Sequence, residues 1–185
     1  MSKKILLVTG DGGEGYEVLY GYHRFLEAGM EPVIAAPASK RLNLVMHDFE
    51  PGWDTYIERP GYRVPAEVAI DDVQADSFDA ILILGGRAPE YLRHNRRLID
   101  LVRHMHGQGK WICAICHGIQ VLVAAGIVKG RRVTCYEHVR FEVEMAGGTY
   151  DTCQAVRDGR IITAQTWQSH PEFYRELFSS FAEAG

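Results

Sequence analysis

The sequence predicts an α/β protein: a mainly parallel sheet sandwiched by helices, with a long excursion inserted near its start. Three observations lead there. Short apolar runs recur at Ile5 to Thr9, Pro32 to Ala36, Ala80 to Leu84 and Trp111 to Ile115; helical spacing fills the intervals; and glycines follow several of the runs. Strands alternating with helices need crossover connections, which make neighbouring strands parallel and cover both faces of the sheet.

In chain order, Ile5 to Thr9 is a strand and Gly10-Asp11-Gly12-Gly13 its turn. Val18, Leu19, Tyr22, Phe25 and Leu26 then mark one face of a helix closed by Gly29. Pro32 to Ala36 completes a βαβ unit. Residues 37 to about 70 are irregular, punctuated by Pro37, Pro51, Gly52, Pro60, Gly61 and Pro65. So long a connection inside a compact domain is read as an inserted hairpin or excursion covering a site, with Trp53, Tyr56 and Tyr62 as its own core. Ala80 to Leu84 and Trp111 to Ile115 read as strands buried on both faces, with a helix at Leu98 to Met105 between them. Gly118 to Ala125 reads as a helix, Arg132 to Cys135 as a strand and Val139 to Ala146 as a helix ended by Gly147-Gly148. Ala155 to Ala164 reads as a hairpin turning at Asp158-Gly159, and Pro171 opens the last helix. One domain over residues 1–185 is expected.

A formal net charge of -4 offers no basic face for a phosphate backbone, so nucleic acid is a poor first guess. No apolar run is long enough to cross a membrane. The chain enters its first strand without an apolar leader, which places the expectation in the cytoplasm, where Cys113, Cys116, Cys135 and Cys153 are thiols.

The most informative run is Ala114-Ile115-Cys116-His117-Gly118, a cysteine between a buried strand and a helix with small residues two positions to either side. This is the spacing of a nucleophile elbow. A helix N-terminus there is expected to lower the thiol pKa, and its N–H groups to hold an oxyanion. His117, next in sequence, is expected to point away from the sulfur. Gly85 and Gly86 end another buried strand and reach the same sheet edge, where their backbone N–H groups are further oxyanion candidates. Glu14 and Glu17 follow the first strand; facing inward, either one shuttles a proton, and facing outward it decorates a helix start. Tyr136 and His170 are secondary candidates. Cys113-Ala-Ile-Cys116 also matches a redox C-x-x-C, but Cys113 falls inside the strand. No spacing suggests a metal site.

The chain resembles the ThiJ/PfpI superfamily, glutamine-amidotransferase-like proteins of flavodoxin-like fold. The resemblance rests on Gly10-Asp11 with Glu14-Gly-Tyr-Glu17-Val, on Met46-His-Asp-Phe-Glu50, on Ile83-Leu-Gly-Gly-Arg-Ala-Pro-Glu90-Tyr-Leu92 and on Ala114-Ile-Cys-His-Gly118. It implies Cys116 as nucleophile, Glu17 as the acid bonded to it, His117 as the following histidine and Glu90 as an acid that reaches the Cys-His pair of a neighbouring subunit in a homo-oligomer. It also implies a cofactor-free enzyme acting on a small-molecule aldehyde or glycated substrate, with methylglyoxal converted to lactate as the concrete case, and nucleic acid only as a repair substrate. The alternatives are a cysteine peptidase or amidase, a hydratase of small electrophiles, and a sensor or chaperone switched by cysteine oxidation. Gly12-Gly13 and Gly15 stand where relatives usually carry a bulky residue and an acid, which implies a wider or more mobile entrance.

Overall fold

The computed structural model describes residues 2–183. Its elements are β1 (Lys4–Val8), α1 (Gly15–Glu27), β2 (Glu31–Ala36), β3 (Arg41–Asp48), β4 (Ile57–Pro65), β5 (Val68–Ala69), β6 (Ala80–Ile83), α2 (Ala88–Leu92) and α3 (Arg96–Gly107). β7 (Trp111–Ile115), α4 (Ile119–Ala124), β8 (Arg132–Val133), α5 (Arg140–Met145), β9 (Thr149–Tyr150), β10 (Ala155–Asp158), β11 (Ile161–Ala164) and α6 (His170–Glu183) follow.

Seven strands make the central sheet in the order β10-β11-β7-β6-β1-β2-β5. All neighbours are parallel except the β10–β11 hairpin, so the predicted flavodoxin-like sheet is present. From β1 the chain crosses outward to β2; from β6 it crosses the opposite way to β7. Right-handed crossovers in opposite directions put α1 and α3 on opposite faces. Phe25 of α1 packs edge-on against Tyr174 and Phe178 of α6, which shares its face. β6 and β7 are buried along their whole length, as their uninterrupted apolar runs require. Where connections diverge, the carboxyl ends of adjacent strands leave a crevice, and here that point lies between β1 and β6.

Local chemistry sets the helix ends. Glu14 caps α1, its carboxylate accepting from the Tyr16 N–H at 3.0 Å. Gly29, at φ 72°, ends the helix with Met30 N–H bonded to Phe25 O at 2.9 Å, the Schellman pattern. Asn95 caps α3 through the Leu98 N–H at 3.0 Å.

Several expectations are corrected. The strand read at Arg132 to Cys135 shrinks to Arg132–Val133 and pairs with β9 in a separate two-stranded sheet, because the central sheet is already closed by β10 and β11. Residues 88–92, for which the sequence suggested no element, form the short helix α2, with Pro89 near its start where a missing N–H costs nothing. The helix read from Gly118 begins as a 3₁₀ turn, Cys116–Gly118, before α4. The excursion is a hairpin, β3 against β4, but its tail supplies β5 to the main sheet. Trp53 and Tyr62 are largely exposed, at 60% and 71%, so they form no core for it.

Candidate active site

Three strand ends meet at the crevice. After β7, Cys116 adopts φ 59°, the left-handed region, alone among the described non-glycine residues. A β-carbon there costs strain, and such strain persists only where the surroundings hold it. Gly118 makes the turn possible, since an added β-carbon would clash with the Ile83 carbonyl on β6. Cys116 is 7% exposed, and its sulfur lies 3.3 Å from Nδ1 of His117. The expectation that His117 points away is therefore corrected: the left-handed residue reverses the chain so sharply that the next side chain folds back over the thiol.

After β1, Glu17 enters the same crevice from the first turn of α1. It is fully buried, with Oε2 accepting from the Gly85 N–H at 2.6 Å and Oε1 without a hydrogen-bond partner among the described residues. Burial, reinforced by the charge of Glu14, holds the Glu17 carboxyl well above its ordinary range. Gly85 has room for no side chain: an added β-carbon would lie 2.5 Å from Cys116 Cβ and 2.8 Å from Glu17 Oε2. Its N–H is thus committed to Glu17 and not open to an oxyanion.

The Cys116 thiol is pushed up by burial and by the Glu17 charge, while the Gly86 and His117 backbone N–H groups directed at it pull the other way. The expected lowering by an open helix end is corrected. The thiol faces a carboxyl inside the protein, and two acids so placed cannot both ionise readily. Since Glu17 is itself held protonated, the Glu17 contribution to the thiol vanishes in the state where the pair carries one proton. His117 is pushed down to about 4 by burial, so it is a neutral imidazole at neutral pH.

The hairpin roofs the site. Tyr56 stacks on His47 at 4.0 Å between ring centroids and stands 5.9 Å from the ring of His117. Tyr136 is 5.2 Å from His117 and its hydroxyl lies 3.2 Å from Thr55 Oγ1, which ties the hairpin tip down. His138 Nε2 and the Asp54 carbonyl make a second tie at 3.2 Å. The wider entrance implied by Gly12, Gly13 and Gly15 is absent, because β3 occupies that space. Gly12 N–H donates to Asn43 O at 2.8 Å, Val45 N–H donates to Gly13 O at 2.9 Å, and a β-carbon on Gly15 would press on Val45 O at 3.1 Å.

Other candidates fall elsewhere. Glu90 is exposed on α2, and among the described residues no carboxylate bonds His117. His170 is buried at the start of α6, stacked on Tyr20 at 4.5 Å with neither ring nitrogen partnered among the described residues, and its ring neighbours are Tyr16 and Tyr174, not Cys116. Cys113 lies inside β7 as expected, and Cys135 is buried and Cys153 exposed, all free.

His47 was missed. It is 4% exposed, donates its backbone N–H to Glu14 Oε2 at 2.8 Å, and sets Nδ1 3.4 Å from that oxygen and Nε2 3.0 Å from Glu58 Oε2. Arg87 Nε donates to the same Glu58 oxygen at 2.6 Å. Burial lifts Glu14 to about 7. The only sequence signal for His47 was its place in the Met46-His-Asp-Phe-Glu50 run.

These buried groups make acid stability predictable. His117 and His170 are both held down to about 4 by burial, from 6.5. Their stabilising contribution is complete above pH 6.5 and disappears as pH falls from about 6.5 to about 4, where the unfolded chain takes protons that the folded one refuses. Glu14 works oppositely, its folded form keeping a proton between about 4.5 and about 7. His170→Phe keeps the ring stacked on Tyr20 and removes one histidine term. The expected result is a smaller drop in melting temperature between pH 7.5 and pH 5 than the parent shows; an equal or larger drop refutes it.

A strand-ending elbow that sets a thiol against a buried carboxyl, at the switch point of a parallel sheet, defines an α/β protein of the cysteine-elbow class. The chain belongs to the DJ-1/PfpI family, whose model matches residues 3–180. It is 37% identical over 187 residues to Protein DJ-1 homolog D of Arabidopsis thaliana, covering 96% of this chain and 47% of that relative. It therefore spans about half the length of that protein. To Deglycase PfpI of Pyrococcus furiosus it is 36% identical over 162 residues, covering 88% of this chain and 89% of the relative. To Protein/nucleic acid deglycase 2 of Escherichia coli it is 30% identical over 177 residues, covering 95% and 96%. The fold matches a two-domain Anabaena variabilis protein containing DJ-1/ThiJ/PfpI-like and ferritin-like domains with a TM-score of 0.87 at 24% identity, over 98% of this chain and 48% of that one. It matches Drosophila melanogaster DJ-1beta at 0.80 and 23%, over 96% and 89%.

Proposed function

We propose that the protein is an enzyme whose Cys116 attacks reactive aldehydes, converting methylglyoxal to lactate or removing methylglyoxal adducts from amines and thiols. The observation that carries this reading is the buried pair of Cys116 and Glu17, which share the crevice beside Gly85. Relatives named deglycases, 30% to 36% identical over most of their length, support it.

The reacting form of the pair carries one proton, on Glu17, with the charge on sulfur, where two backbone N–H groups face it. Thiolate addition to the aldehyde carbon makes a C–S bond and moves the electron pair to oxygen. The oxyanion, held by the Gly86 and His117 N–H groups, takes the Glu17 proton. Glu17, now a carboxylate, removes the carbon-bound hydrogen to give an enediol, then returns a proton to the neighbouring carbon. The product is a thioester; water attacks its carbonyl, the C–S bond breaks to give lactate and the thiolate, and of the two protons set free one restores Glu17 and the other goes to solvent. The sum is methylglyoxal plus water to lactic acid. Adduct removal differs in its leaving group, an amine or thiol.

The test is lactate formation from methylglyoxal by chelator-treated protein beside a fluorogenic peptide-amide panel. Lactate from the parent and none from Cys116→Ala is expected. Peptide cleavage without lactate transfers the assignment to an amide hydrolase, for which the 3.3 Å contact between Cys116 and His117 is the favouring geometry and an outside acid such as a neighbour's Glu90 the missing part.

A further inference from the structure

Glu17 must change its proton twice in each turnover, yet it has no exposed surface. A chain of titratable groups leads from its neighbourhood to solvent. Glu14 is the N-cap of α1, three residues before Glu17; the two carboxyls share no hydrogen bond among the described residues, and Glu17 Oε1, which has no partner there, is the oxygen left free to exchange a proton with Glu14. Both carboxyl-bearing residues bracket Gly85, whose carbonyl accepts from the Glu14 N–H at 3.2 Å while its own N–H holds Glu17. From Glu14 the path runs through His47 to Glu58, whose side chain is 31% exposed.

The wiring is directional. Arg87 keeps Glu58 ionised, so Glu58 only accepts, and Nε2 of His47 must carry the hydrogen between them. Nδ1 is then a bare lone pair facing Glu14 Oε2 at 3.4 Å. That face suits a protonated Glu14 and repels an ionised one. The groups around the His47 ring are Glu14 from the α1 cap, Asp48 on its own strand, Glu58 on β4, Arg87 before α2 and the stacked ring of Tyr56.

We propose that Glu14, His47 and Glu58 form a proton-transfer chain by which the buried Glu17 exchanges its proton with solvent between its two proton transfers. The proposal rests on the aldehyde reading. A proton leaving Glu17 for Glu14 passes to Nδ1 of His47, while Nε2 gives its own to Glu58 and on to water; the return trip reverses each hop, so protons balance. His47 is a positioning and relay residue and touches no substrate.

Two measurements decide it. Without substrate, ¹⁵N spectra of the imidazole report the tautomer: an Nε2–H ring with bare Nδ1 at His47 is expected, and an Nδ1–H ring overturns the chain. With methylglyoxal in D₂O, parental lactate is expected to carry deuterium at its second carbon, picked up while Glu17 exchanges. In His47→Phe and Glu58→Gln lactate still forms, but that deuterium falls several-fold and the original hydrogen is retained. Unchanged labelling in both variants, or retained hydrogen in the parent, overturns the proposal. Glu58→Gln, at a partly exposed site, decides the labelling arm if His47→Phe fails to fold by circular dichroism. Absence of lactate from the parent defeats the aldehyde reading instead, and the tautomer still decides the wiring.

Discussion

Glu17→Gln lowers kcat for lactate formation by about 10²- to 10⁴-fold, the range that a positioned acid-base group supplies, while KM changes little. The amide retains the shape of the carboxyl, and its oxygen still accepts the Gly85 N–H that Glu17 holds at 2.6 Å. It cannot give a proton to the oxyanion or take one from carbon. The nucleophile survives the change. The Glu17 charge is one of the influences that raise the Cys116 thiol, and a neutral amide has none, so alkylation of Cys116 by iodoacetamide at neutral pH stays at least as fast. Steady-state kinetics and alkylation rates on the same preparation separate the two roles. A kcat within about tenfold of the parent would remove Glu17 from proton transfer.

The second large effect is steric. Gly85→Ala inserts a methyl where Cys116 Cβ would be 2.5 Å away, Glu17 Oε2 2.8 Å and the sulfur 3.0 Å. No flexible side-chain end stands there to yield: Cys116 is locked by its φ of 59° and Glu17 by burial. The cost in stability is about 1–3 kcal/mol, the usual price of overpacking a filled interior. Turnover falls by about 10²-fold or more, because the acid and thiol are pushed apart by a good fraction of an ångström. Denaturant unfolding and kinetics check both numbers. A variant as stable and active as the parent would show that the pair tolerates displacement, and the argument from shared space would fail.

The parts of this molecule legible in the sequence were those governed by local pattern. β6 and β7 announce themselves as unbroken apolar runs, and the elbow as Cys116 with small residues at Ala114 and Gly118. Strand alternation placed Glu17, Gly85, Gly86 and Cys116 on one sheet edge, and the structure brings them together there. What was not legible depends on contacts distant in sequence. His47 comes to Glu14 across 33 residues, on a hairpin whose register is set by β3 lying against Gly13 and Gly15. The same packing removed the expected wide entrance. The direction of the thiol shift was missed because a helix end seen alone favours the charged sulfur, whereas the folded site adds burial and a facing acid. The position of His117 turned on one backbone angle that composition does not encode. His170 was read as a site candidate from residue type, and the fold stacks it on Tyr20 of α1 instead of on Cys116.

The hairpin also separates two jobs along its length. Its stem, up to Asp48 and again from Ile57, carries the bonds that hold Gly12, Gly13 and Glu14 in place. Its tip, between Phe49 and Tyr56, meets the site through the Thr55–Tyr136 contact, the Asp54 carbonyl against His138, and the rings of Phe49 and Tyr56. Variation confined to the tip therefore alters which molecules reach the sulfur while the catalytic framework stays intact. On the proposed function, that makes the tip the place where a designer would retarget the site.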